Sequence, residues 1–251
     1  MSGSAHLRYV LRLADTSLVL GQRLGVWVGH GPALEEDLGL ANISLDLIGQ
    51  ARLLLTYAGE REGRSRSEDD LAMSRDQSDY LNLALAEQPN GDFGRTIVRQ
   101  FLLDAFQMEL YEALQQSKDA RLAEVAARAV KETRYHLRYS SAWLIRLGDG
   151  TDESHRRVQE ALDDLWRFTR EFFAADEVDE EMARAGVAPA LPELEPRWSA
   201  RVDEVLREAT LKRPPDVRYS WHGKRGDHSE HLGYLLAEMQ FLHRTYPGAS
   251  W

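Results

Sequence analysis

The sequence contains no cysteine among its 251 residues. It therefore forms no disulfide, holds no metal through thiolates and uses no cysteine nucleophile. The same absence fits a reducing compartment, so we expect a cytoplasmic protein. No run of about 18 apolar residues occurs, so a membrane-spanning helix is not predicted. Residues 1–6 lack the basic start and apolar run of a secretory signal, and are predicted to be a disordered tail.

Basic residues are outnumbered, with 31 Lys and Arg against 41 Asp and Glu, and the formal net charge is −10. Binding to a phosphate backbone needs a basic surface, so nucleic acid is excluded as the main partner. One short basic loop, Gly223-Lys224-Arg225-Gly226, precedes a predicted helix. Helix N-termini attract phosphate, which makes this loop a weak candidate for binding a small anion.

Alternating strand patterns are absent, and helical periodicity dominates the chain. Long helices are predicted at about 6–28, 33–59, 93–117, 119–147, 151–175, 191–211 and 227–244, and short helical pieces near 72–86 and 177–185. Four long helices with shorter additions predict an all-α fold, a ferritin-like antiparallel four-helix bundle. We expect residues 7–251 to form a single domain of this kind.

Bundles of these proportions that bind two irons carry a characteristic ligand set, which this sequence lacks. The set consists of a Glu from each of two helices and a Glu-x-x-His turn from each of two others. Of the eight His, only His155 follows a carboxylate by three residues, and that residue, Asp152, is predicted to open a helix. The chain is therefore not expected to bind two irons by itself.

Several polar residues nevertheless lie on predicted core-facing stripes: Asp46, Asp104, Glu132, His136, His231 and Glu238. One interpretation is a buried network of hydrogen bonds and ion pairs, since buried charges must be paired. The other is a degenerate metal site, although Glu132 and His136 are four residues apart rather than three.

Two further patterns each leave two interpretations open. Helix 93–117 is apolar nearly all round, which fits either a central position in the bundle or a large interface with another subunit. The pair His228 and His231 fits a helix-start cluster better than a divalent-ion site, because zinc needs three or four protein ligands.

Five motifs in one order resemble the structural C subunits of phenylacetyl-CoA epoxidase, the bacterial multicomponent monooxygenase of phenylacetate breakdown. They are ANISLDLIGQAR (41–52), EQPNGDF (87–93), KETRYHLR (131–138), LWRFT (165–169) and HSEHLG (228–233). The likeness runs from about residue 8 to Pro247, Gly248 and Trp251.

The resemblance implies a ferritin-like fold and a tight pairing with a homologous catalytic A subunit. The A subunit would hold the di-iron centre that epoxidises the aromatic ring of phenylacetyl-CoA with O₂. Electrons would come from NADPH through a reductase subunit with flavin and an iron–sulfur cluster. The C subunit is regarded as non-catalytic and would carry no cofactor, and neither nucleic acid nor membrane would be a partner.

The resemblance also places possible acyl-CoA contacts before Gln88-Pro89 and after Phe173. The matching residues are Asp79, Tyr80, Leu81, Asn82, Glu180, Glu181 and Met182. Glu180 and Glu181 would repel phosphates, so they would contact uncharged parts of the ligand or act through backbone N–H groups. Ordinary surface solvation is the alternative interpretation of these residues.

Two other functions stay open at this stage. One is a self-sufficient metal-dependent oxygenase using Glu36, Asp46, Asp104, Glu132, His136 and His231. The other is a helical adaptor that binds proteins and touches no substrate.

Overall fold

The computed structural model describes residues 2–217 and 222–249, with side chains from Ala5 onward. Over these ranges the chain is helical without any strand, so the prediction of an all-α, ferritin-like chain is confirmed. The α-helices are α1 Ser2–Gly25, α2 Leu34–Glu62, α3 Glu68–Met73, α4 Phe93–Leu114, α5 Ala120–Gly148, α6 Asp152–Leu165, α7 Arg170–Phe173, α8 Glu177–Ala185, α9 Leu191–Glu208, α10 Glu230–Met239 and α11 Phe241–Thr245.

The described residues divide into two compact units. The first combines residues 2–89 with residues 222–249, and the second comprises residues 90–217. The tail over 1–6 and the single domain over 7–251 stay predictions, although α1 already begins at Ser2 rather than near residue 6.

In the first unit, α1 and α2 form a helical hairpin joined by residues 26–33. The helices approach closely at Gly21, where an added Cβ would lie 3.1 Å from Ile48 Cγ1 and 3.2 Å from the Ser44 carbonyl oxygen. The Ser44 hydroxyl donates a 2.8 Å hydrogen bond to the Gly21 carbonyl. By length and composition alone α2 is apolar enough to cross a membrane, but half of its apolar window is buried within the chain, as in a core helix.

Of the short helical pieces predicted near 72–86, the structure has the end of α3 and one 3₁₀ turn, and the later part of that range is not helical. Helix α3 ends at Met73, residues 77–79 form a single 3₁₀ turn, and residues 80–88 are buried but not helical. Side chains of α1 hold this segment: the backbone N–H of Leu81 donates to Asp15 Oδ2 at 2.9 Å, and that of Leu83 to Thr16 Oγ1 at 3.1 Å. These bonds satisfy buried backbone donors without helical pairing.

In the second unit, α4 packs against α5, α6 and α9 and is buried along nearly its whole length. The apolar residues outside its predicted inward stripe, such as Leu102 and Phe106, are buried inside the chain itself. Central placement therefore explains the apolar character of α4, without another subunit. The predicted helix over 151–175 is interrupted: α6 ends at Leu165, and a 3₁₀ turn leads into the short α7.

Candidate functional site

A buried carboxylate, Asp104 of α4, lies at the centre of a polar cluster in the second unit. Gln100, one turn earlier in α4, donates its amide N–H to Asp104 Oδ1 at 2.6 Å. Ser140 of α5 donates its hydroxyl to Oδ2 at 2.7 Å. Burial raises the pKa of Asp104 to about 6, while the charge of nearby His136 and the two hydrogen bonds act in the opposite direction.

The residues of this cluster do not fit a di-iron centre. Such a centre in a helical bundle takes four carboxylates and two imidazoles, whereas the neighbours of Asp104 are a glutamine, a serine and one histidine. Within the described ranges, no group of three or more His, Asp or Glu side chains is arranged to hold a metal ion. The hydrogen-bonded network, rather than the degenerate metal site, describes the surroundings of Asp104.

Of the other predicted buried polar residues, His136 is fully buried as expected, and the remaining four are less buried than expected. Asp46 and His231 are half-buried, and Glu132 lies at the edge of its stripe, where it pairs with Arg128 at 3.0 Å. Glu238 is exposed, so its predicted burial is wrong. The core-facing side of α10 is formed by Leu232, Leu235 and Leu236, which leaves Glu238 outside this buried side.

The first unit contains a second buried polar network, centred on Glu87. Its Oε1 accepts from the Ser229 N–H at 2.6 Å and from the Ser229 hydroxyl at 2.7 Å. Its Oε2 accepts from the Asn82 amide at 2.9 Å and lies 2.8 Å from His228 Nδ1. The side chains of Glu87 and His228 are both fully buried. All four lone-pair positions of the carboxylate are therefore used.

Arginine and aspartate side chains fix the same segment from its other sides. The Arg23 guanidinium of α1 donates to the Glu87 carbonyl at 2.6 Å and to the His231 carbonyl at 2.9 Å. Arg75 donates to the buried carboxylate of Asp15 and lies over the ring of Tyr80, 4.4 Å from its centroid. Residues 80–88 are thus clamped between α1, Arg75 and the start of α10.

The predicted acyl-CoA contacts before Gln88 belong to the first unit, and most of them are buried. Asp79 is exposed, but Tyr80 and Asn82 are fully buried, and Leu81 is nearly so. The Tyr80 hydroxyl donates to the Ala72 carbonyl, and the Asn82 amide is bound to Glu87. In the chain as described, these two side chains are therefore bonded within the segment itself.

The predicted contacts after Phe173 lie in α8 of the second unit. Glu180 is exposed, Glu181 is half-buried, and Met182 is buried. Contact of either set with acyl-CoA stays a prediction.

Exposed apolar side chains lie on α2 and on the connection that joins it to α1. On α2 they are Leu34, Leu38 and Leu45, which are 71%, 55% and 65% exposed, and the connection adds Val26 and Val28. Steps of four and seven residues place the three leucines on one face of the helix. We call these five residues the α2 apolar surface. Exposed apolar side chains that share a helix face are candidates for a site of association.

The chain is similar to known proteins over nearly its whole length. A family model described as phenylacetic acid catabolic protein matches residues 2–251. The C subunit of 1,2-phenylacetyl-CoA epoxidase from Escherichia coli (strain K12) is 51% identical over 243 residues, which cover 97% of this chain and 98% of that protein. The resemblance drawn from the five motifs is confirmed.

Proposed function

The chain belongs to the phenylacetic acid catabolic protein family, and from that premise we propose that it is a non-catalytic structural subunit of a phenylacetyl-CoA epoxidase. In this role it supports a homologous catalytic subunit whose di-iron centre epoxidises the aromatic ring with O₂ and NADPH. The observation that carries the proposal is the 51% identity to the Escherichia coli C subunit over nearly the full length of both chains.

The chemistry around Asp104 supports the non-catalytic part of the proposal. A carboxylate that binds iron must be ionised and must present its oxygens to the metal. Both Asp104 oxygens instead accept hydrogen bonds from Gln100 and Ser140, and burial raises its pKa. The metal, flavin and iron–sulfur cofactors are accordingly assigned to partner subunits, and a cytoplasmic location is part of the same proposal.

The α2 apolar surface supports the proposed role of this chain as a structural subunit. A leucine exposed in a free chain gains stability when a partner covers it, at roughly 25 cal/mol per Å² of apolar area. Covering this surface would fix the two chains against each other and hold the ligand-bearing helices of the catalytic subunit in place.

Co-expression with the catalytic homologue tests the proposal. We expect the two chains to co-elute in size-exclusion chromatography, iron to follow the catalytic chain, and NADPH-dependent turnover of phenylacetyl-CoA to need both chains with the reductase. Turnover that is unchanged when this chain is left out would refute the structural role. Iron-dependent O₂ consumption by this chain alone would instead favour the self-sufficient oxygenase.

A further inference from the structure

Asn90 and Gly91 form the only Asn-Gly pair of the sequence, within the motif EQPNGDF and directly before α4. Asparagine loses its side-chain amide most readily before glycine, because glycine has no side chain to shield the backbone nitrogen that attacks. The two other asparagines, Asn42 and Asn82, are each followed by a large aliphatic residue. They therefore serve as an internal comparison.

The backbone of the second unit requires glycine at position 91. Gly91 has a φ of +58°, in the left-handed region that other residues rarely adopt. An added Cβ would lie only 2.6 Å from Arg95 Cδ. The fold therefore keeps a glycine after Asn90, and no larger side chain at this position can shield the backbone nitrogen.

The backbone N–H of Gly91, whose nitrogen is the attacking atom, is open to solvent. Gly91 is exposed, and within the described part of the chain its N–H donates to no acceptor. The N–H that follows Asn82 donates instead to Thr16 Oγ1 at 3.1 Å. The N–H that follows Asn42 lies inside α2, where each amide bonds to the carbonyl four residues earlier. Hydrogen bonding protects an amide from losing its proton, so only the Gly91 nitrogen is ready to react.

The side-chain amide of Asn90, which is the group attacked, is polarised by a guanidinium. Arg99 of α4 donates from Nη2 to Asn90 Oδ1 at 2.8 Å. Arg99 is fully buried, so its charge acts in a region of low dielectric constant. A donor in this position stabilises the negative charge that develops on Oδ1 when a nucleophile adds to Cγ. The Thr96 hydroxyl holds the same residue from its backbone side, by donating to the Asn90 carbonyl at 3.0 Å.

We propose that Asn90 is a site of spontaneous deamidation in the folded chain, and that Arg99 promotes the reaction. The Gly91 nitrogen forms a bond to Asn90 Cγ and gives its proton to solvent, while Nδ2 takes up a proton and leaves as ammonia. A water molecule then opens the cyclic imide. Cleavage of the new bond between Cγ and nitrogen yields aspartate, and cleavage of the original peptide bond yields isoaspartate. Either product adds a carboxylate directly before α4.

Incubation of the full chain in mildly alkaline buffer, followed by trypsin digestion and peptide mass spectrometry, tests the proposal. Cleavage after Arg75 and Arg95 leaves Asn82 and Asn90 in one peptide, and a sample digested at time zero corrects for deamidation during preparation. The same chain in guanidinium chloride gives the rate without folded structure. We expect Asn90 to convert in the folded chain at least as fast as in the denatured chain, while Asn42 and Asn82 stay intact. Slower conversion of Asn90 in the folded chain, or equal conversion of all three asparagines there, would overturn the proposal.

The substitution Arg99→Lys isolates the contribution of the guanidinium, because lysine keeps the charge but lacks the Nη2 donor that contacts Asn90. We expect the rate in the folded chain to fall roughly tenfold, less than the loss of about a hundredfold or more for a donor in an enclosed oxyanion site. The rate in the denatured chain should not change. Arg95→Lys, at an arginine of α4 that pairs with Asp164 at 2.7 Å, is the matched control.

Equal rates in the two folded variants would overturn the role of Arg99. Circular dichroism checks that each variant is folded. If Arg99→Lys does not fold, the comparison of the folded and denatured unmodified chain decides the proposal by itself.

Discussion

His228 links Glu87 to Tyr80 through both ring nitrogens: Nδ1 lies 2.8 Å from Glu87 Oε2, and Nε2 donates to the Tyr80 carbonyl at 2.8 Å. The carbonyl can only accept, so Nε2 carries a proton. Glu87 and His228 therefore form a fully buried hydrogen-bonded pair, which is an ion pair whenever the imidazole is protonated.

The substitution Glu87→Gln should destabilise the chain strongly. The amide provides one acceptor oxygen in place of two, so donors from Ser229 and Asn82 lose an acceptor in the buried network. Each buried polar group left without its partner costs about 1–3 kcal/mol. Chemical denaturation measures this change, and Glu230→Gln, at an exposed position beside the same network, is the matched control. Equal stability of the two variants would show that the Glu87 pair contributes nothing.

Asp104→Asn should remove a pH dependence of stability. The pKa of Asp104 is raised from 3.8 to about 6 in the folded chain, so the folded state binds its proton more tightly than the unfolded state. The resulting stabilisation is complete below about pH 4 and is lost as pH rises through about 6, a change of about 3 kcal/mol. Urea denaturation between about pH 4 and pH 8 measures it.

In that series the difference in stability between the Asn variant and the unmodified chain should grow with pH in favour of the variant. Asn42→Ala, an exposed substitution on α2 that removes no titratable group, is the control and should keep the pH profile of the unmodified chain. Parallel pH profiles for Asp104→Asn and the unmodified chain would contradict the burial argument.

The double substitution Leu38→Glu and Leu45→Glu should prevent assembly with the catalytic homologue. Both residues lie on the α2 apolar surface, where two buried carboxylates in a contact would lack partners. Co-elution after co-expression measures assembly. Tyr234→Glu, at an exposed position on α10, is the control, and full assembly of the Leu variant would exclude this surface as the interface.

Anaerobic addition of Fe(II) to the isolated chain, followed by desalting, should leave well under one iron per chain. The assembled complex should retain about two irons for each catalytic partner. That partner would supply the complete ligand set of a di-iron centre, which comprises four carboxylates and two imidazoles. Iron analysis of both samples gives the ratio. Two irons retained by the isolated chain would refute the assignment of the metal to the partner.

Helical periodicity was enough to predict the long helices and the burial of Asp104 and His136. The buried sides of α4 and α5 are broad, so Asp104 and His136 are predicted to be buried whichever of the neighbouring helix faces is taken as core-facing. On α10 the hydrophobic pattern fits either of two adjacent sides as the core-facing one. The sequence favours the side that carries His231 and Glu238. The structure buries Leu232 and Leu236 instead.

Glu87 and His228 were not recognised as partners, because 141 residues separate them and neither lies on a periodic stripe. The one available signal was that both fall within motifs of the resemblance, EQPNGDF and HSEHLG. The short helical pieces predicted near 72–86 extend into residues 80–86, which are not helical in the structure. Their composition favours a helix, while the side chains of Asp15 and Thr16 capture backbone donors that a helix would need.

The irregular stretch around Leu81 and Leu83 has a further consequence for how the first unit acquires its structure. Its backbone donors depend on α1, and its acidic end depends on a histidine from near the opposite terminus of the chain. A short peptide of this stretch lacks both sets of partners. The folded conformation of this stretch therefore depends on contacts from both ends of the polypeptide, and bringing those ends together costs chain entropy.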